Sequence, residues 1–214
     1  MDDEARAARK LAFVWPSEEE QKGFDTPQLC CGKRRRRGRG ALPCGINTPL
    51  SREDMEFIQK TENDNKAVSK IIKGWGSDVL ISRGKPYKAQ DLDGILVYEN
   101  QKIIGIGLYY IKNDECEIVL LETFDHNKGI GTGIIEKLIE IARENKCKRI
   151  WLVTTNSNIN AIKFYQKRGF DISNIYLNAM DEARKIKPEI PELAANGIKI
   201  KDEIEFEILL KMSR

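Results

Sequence analysis

Apolar positions change their spacing along the chain, and those changes divide it into elements. Ser51-Arg52-Glu53-Asp54 precedes Met55, Phe57 and Ile58, which predicts an N-cap and then an amphipathic helix. Asn63 to Lys73 continues the helical pattern and stops at Gly74-Trp75-Gly76. Polar residues then dominate through Ser77 and Ser82-Arg83-Gly84, which reads as a loop. Three β-rich runs follow, from Gly94 to Tyr98, Lys102 to Lys112 and Glu115 to Phe124. Asn100-Gln101 and Asn113-Asp114 separate them as tight turns, so the runs predict an antiparallel meander.

The period lengthens again from Gly129 to Asn145. Ile134, Ile135, Leu138, Ile141 and Ala142 fall on one helical face. Arg149 to Thr154 reads as a buried strand, Asn158 to Arg168 as a helix stopped by Gly169, and Phe170 to Leu177 as another strand. Asn178 to Ile186 is a short helix closed by Pro188. From Glu203 to Leu210 glutamates alternate with Ile204, Phe206 and Ile208, which predicts a half-exposed last strand. The order is mixed α/β: a meander, then strand–helix–strand–helix–strand units.

Charge marks a boundary within the 214 residues. Residues 1–44 hold ten Lys+Arg against seven Asp+Glu, and the remaining residues hold 26 of each. The whole formal charge of +3 therefore lies in an N-terminal segment, broken by Pro16, Pro27, Gly32, Gly38, Gly40 and Pro43 and containing Arg34-Arg35-Arg36-Arg37. Such a composition predicts a disordered leader or appended segment over 1–44 and a folded domain over 45–214. The alternative is a nucleic-acid or targeting patch. The neutral body argues against nucleic-acid binding as the core function. No apolar run approaches the ~20 residues of a membrane-spanning helix. Cys30, Cys31, Cys44, Cys116 and Cys147 are odd in number, and His126 is the only histidine, so neither a disulfide framework nor a zinc site is expected. The expectation is a reduced, cytoplasmic protein without a metal.

The stretch with chemistry in it is His126-Asn127-Lys128-Gly129-Ile130-Gly131-Thr132-Gly133, between a strand and a helix. Glycines let backbone approach a ligand, and a helix N-terminus presents free N–H groups to an anion. The dinucleotide fingerprint fails, because its third small residue would be Ile134. A P-loop needs Gly-Lys-Ser/Thr, which does not occur here.

This stretch resembles the pyrophosphate loop of the GNAT superfamily of N-acetyltransferases: Arg or Gln, two residues, Gly, one residue, Gly or Ala. His126, Gly129 and Gly131 take those positions, with His126 departing from the usual residue. Asn158-Ile159-Asn160-Ala161-Ile162-Lys163-Phe164-Tyr165 followed by Arg168-Gly169-Phe170 resembles a second motif of the family. The resemblance covers about residues 46–210, with the specific motifs in 117–170. The tail around Lys187-Pro188-Glu189-Ile190-Pro191 looks like an uncharacterised prokaryotic branch.

The resemblance implies an acyl-CoA N-acyltransferase fold, with a central, mostly antiparallel sheet flanked by helices. It implies transfer of an acetyl group from acetyl-CoA to a primary amine by direct attack in a ternary complex. Residues 126–133 would cradle the pyrophosphate. Leu120 and Leu121 would offer backbone N–H to the coenzyme, and Asn158 and Ala161 would line its arm. Asn158 is equally a helix N-cap by position. Tyr165 would be the acid for the leaving thiolate, or else a packing residue beside Phe164. Glu122 and Glu117 are the candidate bases; on an ideal strand they face opposite ways unless a bulge intervenes. A water relay with no dedicated base is the alternative; His126, in the pyrophosphate loop, reads as a phosphate contact or loop residue rather than a base. Trp75, Arg83, Tyr109 and Trp151, with Ser77 and Tyr110, are the candidates for the acceptor pocket.

Two other function classes remain open in the sequence: a catalytically silent acetyl-CoA-binding sensor and a nucleic-acid adaptor using the arginine run. The expected partners are acetyl-CoA and an amine, with no membrane. The alternating last strand is able to pair with a second copy, so a homodimer also stays open.

Overall fold

The computed structural model describes residues 55–73, 79–125 and 128–211. The boundary expected near residue 45 and the Arg-rich segment before it lie outside the described residues. The described part contains nine strands: β1 (Glu56–Gln59), β2 (Val79–Ser82), β3 (Lys85–Lys88), β4 (Asp93–Glu99), β5 (Lys102–Lys112), β6 (Glu115–Thr123), β7 (Arg149–Thr155), β8 (Asp171–Tyr176) and β9 (Glu203–Leu209). Its α-helices are α1 (Asn65–Lys73), α2 (Ile130–Glu144), α3 (Ile159–Gln166) and α4 (Ala179–Ile186). Seven strands form one sheet in the order β1-β4-β5-β6-β7-β9-β8, and β2 and β3 form a separate hairpin. Every neighbouring pair is antiparallel except β6 and β7.

Both faces of the central strands are covered, which explains their almost unbroken apolar runs. On one face α2 and α3 pack Ile130, Ile134, Leu138, Phe164 and Tyr165 onto Ile104, Ile118 and Leu152. On the other, α1 and the hairpin pack Val68, Ile72, Leu80 and Tyr87 onto Leu96, Ile106, Leu108 and Leu120. The meander appears as expected. Its turns Asn100-Gln101 and Asn113-Asp114 have both residues at positive φ, the backbone that two-residue hairpins require.

Three sequence expectations need correction. Met55, Phe57 and Ile58 do not open a helix: Glu56–Gln59 is the edge strand β1, paired with Ile95 to Tyr98. Four residues are too few for apolar spacing to separate helix from strand, and pairing with β4 decides it. The polar region before Gly94 contains the β2–β3 hairpin, turned at Arg83 (φ 49°) and Gly84 (φ 68°). Pro86 disguises its second strand, which tolerates a proline because it pairs on one side only. The third correction concerns β9. It lies between β7 and β8 rather than half-exposed, and Glu203 and Glu205 are 4% and 3% exposed.

Helix α2 seats itself on glycine. A Cβ at Gly105 would come within 2.6 Å of Ile130 Cγ2, and one at Gly107 would overlap Ile134 Cγ2. A methyl group here must push the helix away from the sheet. Gly107→Ala is expected to lower unfolding free energy by ~1–3 kcal/mol, measured by urea denaturation. Because the overlap is with Cγ2, Ile134→Ala, which removes that methyl, should cost less in the Gly107→Ala chain than in the parent. No loss in the single variant would mean that α2 does not rest on Gly107.

Candidate active site

The parallel ladder between β6 and β7 is short. Glu115, Cys116 and Glu117 pair with Arg149, Ile150 and Trp151, and pairing then stops although β6 runs to Thr123 and β7 to Thr155. From Ile118 and Leu152 onward the strands diverge. Beyond that point β6 stays with β5 and β7 stays with β9. A β-bulge accompanies the split: Leu108 pairs with Leu120 while Tyr109 pairs with Ile118, so Val119 is the extra residue. Bulges bend a strand and raise its twist, which carries β6 away from β7.

The bulge also resets side-chain parity. Glu117 pairs with Tyr110 and Glu122 with Ile106, two β5 residues of like parity. The two glutamates therefore share a face, against the expectation for an unbroken strand. Both are buried, at 6% and 8% exposure. Glu117 Oε2 accepts a 2.6 Å hydrogen bond from the Tyr87 hydroxyl of the hairpin, and its Oε1 has no partner. Glu122 Oε1 accepts only a 3.3 Å bond, from its neighbour Thr123 N–H, and burial pushes its carboxyl up to about 8.

Gly129 sits at the far end of the split with φ 74° and caps α2. The first intrahelical bond runs from Gly133 N to Gly129 O, so Ile130, Gly131 and Thr132 are the turn whose N–H groups point out of the helix. A Cβ at Gly131 would come within 2.9 Å of Phe164, and one at Gly133 would overlap the Phe57 ring. Those two glycines thus serve close packing as well as backbone exposure. Arg168 ties this turn to α3: Nε and Nη2 donate to Thr132 Oγ1 at 2.9 and 2.6 Å, and Nη1 donates to Phe164 O. Lys128 turns away to Glu99, donating at 3.0 Å. His126 and Asn127 lie outside the described residues.

Asn158 caps α3, its Oδ1 accepting from Ala161 N at 3.2 Å, and Ala161 is buried beneath it. Tyr165 projects from α3 into the core face, edge-on to Phe164 and Phe170 and tilted against Phe206. Burial first, and then the Glu122 charge, raise its phenol above the usual value of 10.0. Leu120 and Leu121 lie on the diverging part of β6.

The acceptor candidates separate. Arg83 and Trp151 line a cleft of about 350 Å³ under the hairpin, together with Ser82, Tyr87, Tyr110 and Glu117. Tyr109 does not: it faces the opposite core at 3% exposure, because neighbours on a strand alternate. Tyr110 lines the same cleft as Arg83 and Trp151. Trp75 and Ser77 lie outside the described residues. Sequence reading missed Tyr87 and Ser82 as site residues because it missed their hairpin; Arg-Gly between two short runs was the available signal. It also set the β9 glutamates in solvent. Arg149 bonds Glu115, Glu205 and Glu207, whereas Glu203 is pushed up to about 7 by burial and keeps one oxygen unpartnered.

A glycine-capped helix N-terminus and an Asn-capped second helix carrying a buried tyrosine are what the two sequence motifs anticipate, and the sheet splits beside them. Residues 58–170 match the Acetyltransferase (GNAT) family. The chain belongs to this family. It is 45% identical over 137 residues to the uncharacterised protein YdhI of Bacillus subtilis, covering 64% of this chain and 86% of that one. It is 33% identical over 89 residues to the spermine/spermidine N(1)-acetyltransferase of B. subtilis, covering 36% and 58%. A GNAT family acetyltransferase from Elizabethkingia anophelis, solved with acetyl-CoA bound, has the same fold, with a TM-score of 0.53 at 22% identity over 74% of this chain and all of that one. The family and its fold support acyltransferase activity in general.

The buried carboxyls make stability depend on pH. Glu122 has an ordinary value of 4.5 and a folded value of about 8. Between these the unfolded chain releases the proton and the folded chain keeps it, so stability falls as pH rises from about 4.5 to about 8. Glu122→Gln removes that loss. Its unfolding free energy should exceed that of the parent by roughly 2–4 kcal/mol at pH 8 and match it near pH 4.5, by urea denaturation at both pH values. Equal stability at both would mean that the carboxyl is ionised in the fold.

Proposed function

We propose that this GNAT protein is an N-acetyltransferase that moves an acetyl group from acetyl-CoA to a primary amine by direct attack. The observation that carries the reading is the early end of the β6–β7 ladder, which leaves the facing edges of β6 and β7 unpaired with each other beyond Glu117 and Trp151. The fit is chemical. Ile130, Gly131 and Thr132 would hold the pyrophosphate with N–H groups, and the unpaired backbone around Leu120 and Leu121 would hold the pantetheine amides. Asn158 would add its side-chain amide. Bound there, the coenzyme supplies an activated acetyl thioester.

Glu117 and Tyr165 take the proton steps from opposite faces of the split sheet. Glu117 lines the cleft, keeps one oxygen unpartnered and is held still by Tyr87, so it takes the proton that the amine loses as nitrogen bonds to the acetyl carbon. Tyr165 carries its proton at neutral pH, as a phenol with an ordinary value of 10.0 already does, and gives it to sulfur as the carbon–sulfur bond breaks. Glu122, uncharged at neutral pH, adds no negative charge beside the departing thiolate. The Leu121 N–H, on the side of β6 turned away from β5, would stabilise the oxyanion.

The test is thiol release from acetyl-CoA over amino acids, polyamines, aminoglycosides and peptide N-termini. At least one class should give saturable turnover. With that acceptor, Tyr165→Phe and Glu117→Gln should each lower kcat about 10²-fold or more, with acetyl-CoA affinity unchanged within about threefold by calorimetry. Tight acetyl-CoA binding without thiol release from any amine would favour a silent binding module instead. Full turnover by Tyr165→Phe would remove the tyrosine from the mechanism.

A further inference from the structure

We propose that the cleft under the β2–β3 hairpin takes a free α-amino acid, binding its ammonium at Glu117 and Ser82 and its carboxylate at Lys85 and Lys112. This rests on the acetyl-transfer reading and names the acceptor class.

The cleft has an anionic floor. Glu117 and Ser82 both line it, both are at least nine-tenths buried, and Glu117 Oε1 and Ser82 Oγ have no hydrogen-bond partner. Buried acceptors without donors are costly, so two of them at one opening point to a donor that enters from it. An ammonium carries three N–H groups and suits both. The Glu117 side chain is already oriented for this by Tyr87, which holds the other oxygen.

The rim adds cations, and Glu115, the other carboxylate of the lining, is held by Arg149 at 3.0 Å. Lys85 Nζ stands 4.3 and 4.6 Å from the ring centres of Tyr87 and Tyr110 and donates to the Tyr87 hydroxyl at 3.0 Å. Lys112 is exposed at the end of β5 on the same cleft. Arg83, the third cation, is committed: it lies 3.6 Å from Glu205 and over the rings of Trp151 and Tyr176.

The juxtaposition decides between kinds of amine. Two hydrogen bonds in series, from Lys85 to Tyr87 to Glu117, separate the two poles. An ammonium that reaches Glu117 therefore arrives beside Lys85. A bare alkylamine or a polyamine meets like charge there. An amine with a carboxylate on the adjacent carbon meets its complement at both poles, and its side chain faces Tyr87, Tyr110 and Trp151. The cleft volume of about 350 Å³ admits a single residue of this kind.

The experiment compares L-phenylalanine, L-methionine and L-lysine, each against its carboxamide and its decarboxylated amine, with spermidine as a polycation. Thiol release at saturating acetyl-CoA and calorimetric binding to the full chain are both read. At least one free amino acid should exceed its amide and its decarboxylated amine by about tenfold in kcat/KM and in affinity. In Lys85→Ala the amino acid should weaken about tenfold while the decarboxylated amine strengthens, a crossing of signs that simple loss of structure does not produce. A preference for spermidine or the decarboxylated amines, equal shifts in one direction, or no binding of any free amino acid would overturn the proposal. Amino-acid binding with the crossed Lys85→Ala response but no thiol release would instead keep the subsite and reject the catalytic reading.

Discussion

The parallel pairing of β6 with β7 ends after three residues, and the rest of the site depends on that ending. A sheet with a full ladder there would be closed, with every N–H and C=O of both strands satisfied. Three rows, Glu115–Arg149, Cys116–Ile150 and Glu117–Trp151, instead join two half-sheets. One half is β1-β4-β5-β6 and the other is β7-β9-β8. Each half keeps its own antiparallel ladders, so the split costs no order within either. Val119 supplies the bend, and the same extra residue turns Glu122 onto the face that Glu117 occupies.

The two faces around the split are built differently. The α2–α3 face is apolar and closely packed: glycines at 105 and 107 let α2 sit close, and Arg168 ties the glycine turn to α3 through Thr132. That turn is the proposed anion-binding end. The hairpin face is polar and only partly satisfied. Glu117, Trp151 and Glu207 share one row across three strands, with Glu205 and Glu203 further along β9. Arg149 neutralises part of this row, while Glu117 and Glu203 each keep an unpartnered oxygen. Buried carboxylates left in this condition lower stability, and active sites are where proteins keep them.

Much of this was legible in the sequence, for reasons tied to particular residues. The meander shows because β4 to β6 are long and their turn residues demand positive φ. The glycine turn and the Asn158–Tyr165 helix show because backbone approach and capping need those residue types. Parity on β6 was not legible, since a bulge leaves no mark in hydrophobic order. The hairpin was hidden by strands of four residues and by Pro86. The glutamates of β9 alternate as a solvent face would, and only the neighbouring β8 and the hairpin bury them. Tyr109 and Tyr110 are adjacent, so pattern alone does not say which of them reaches the cleft. Trp75, His126 and Asn127 lie outside the described residues, and their roles remain those the family resemblance suggests.

The central claim is that the split between β6 and β7 is the coenzyme slot. Backbone amide NMR during titration with coenzyme A tests it most directly, because the reporters are the groups said to bind. The account predicts that the largest shifts fall on Ile118 to Thr123, on Ile130 to Thr132 and on Asn158 and Ala161, while β1 and α1 stay unchanged. Saturable binding whose shifts gather elsewhere, with the β6 amides beyond Glu117 unmoved, would contradict it.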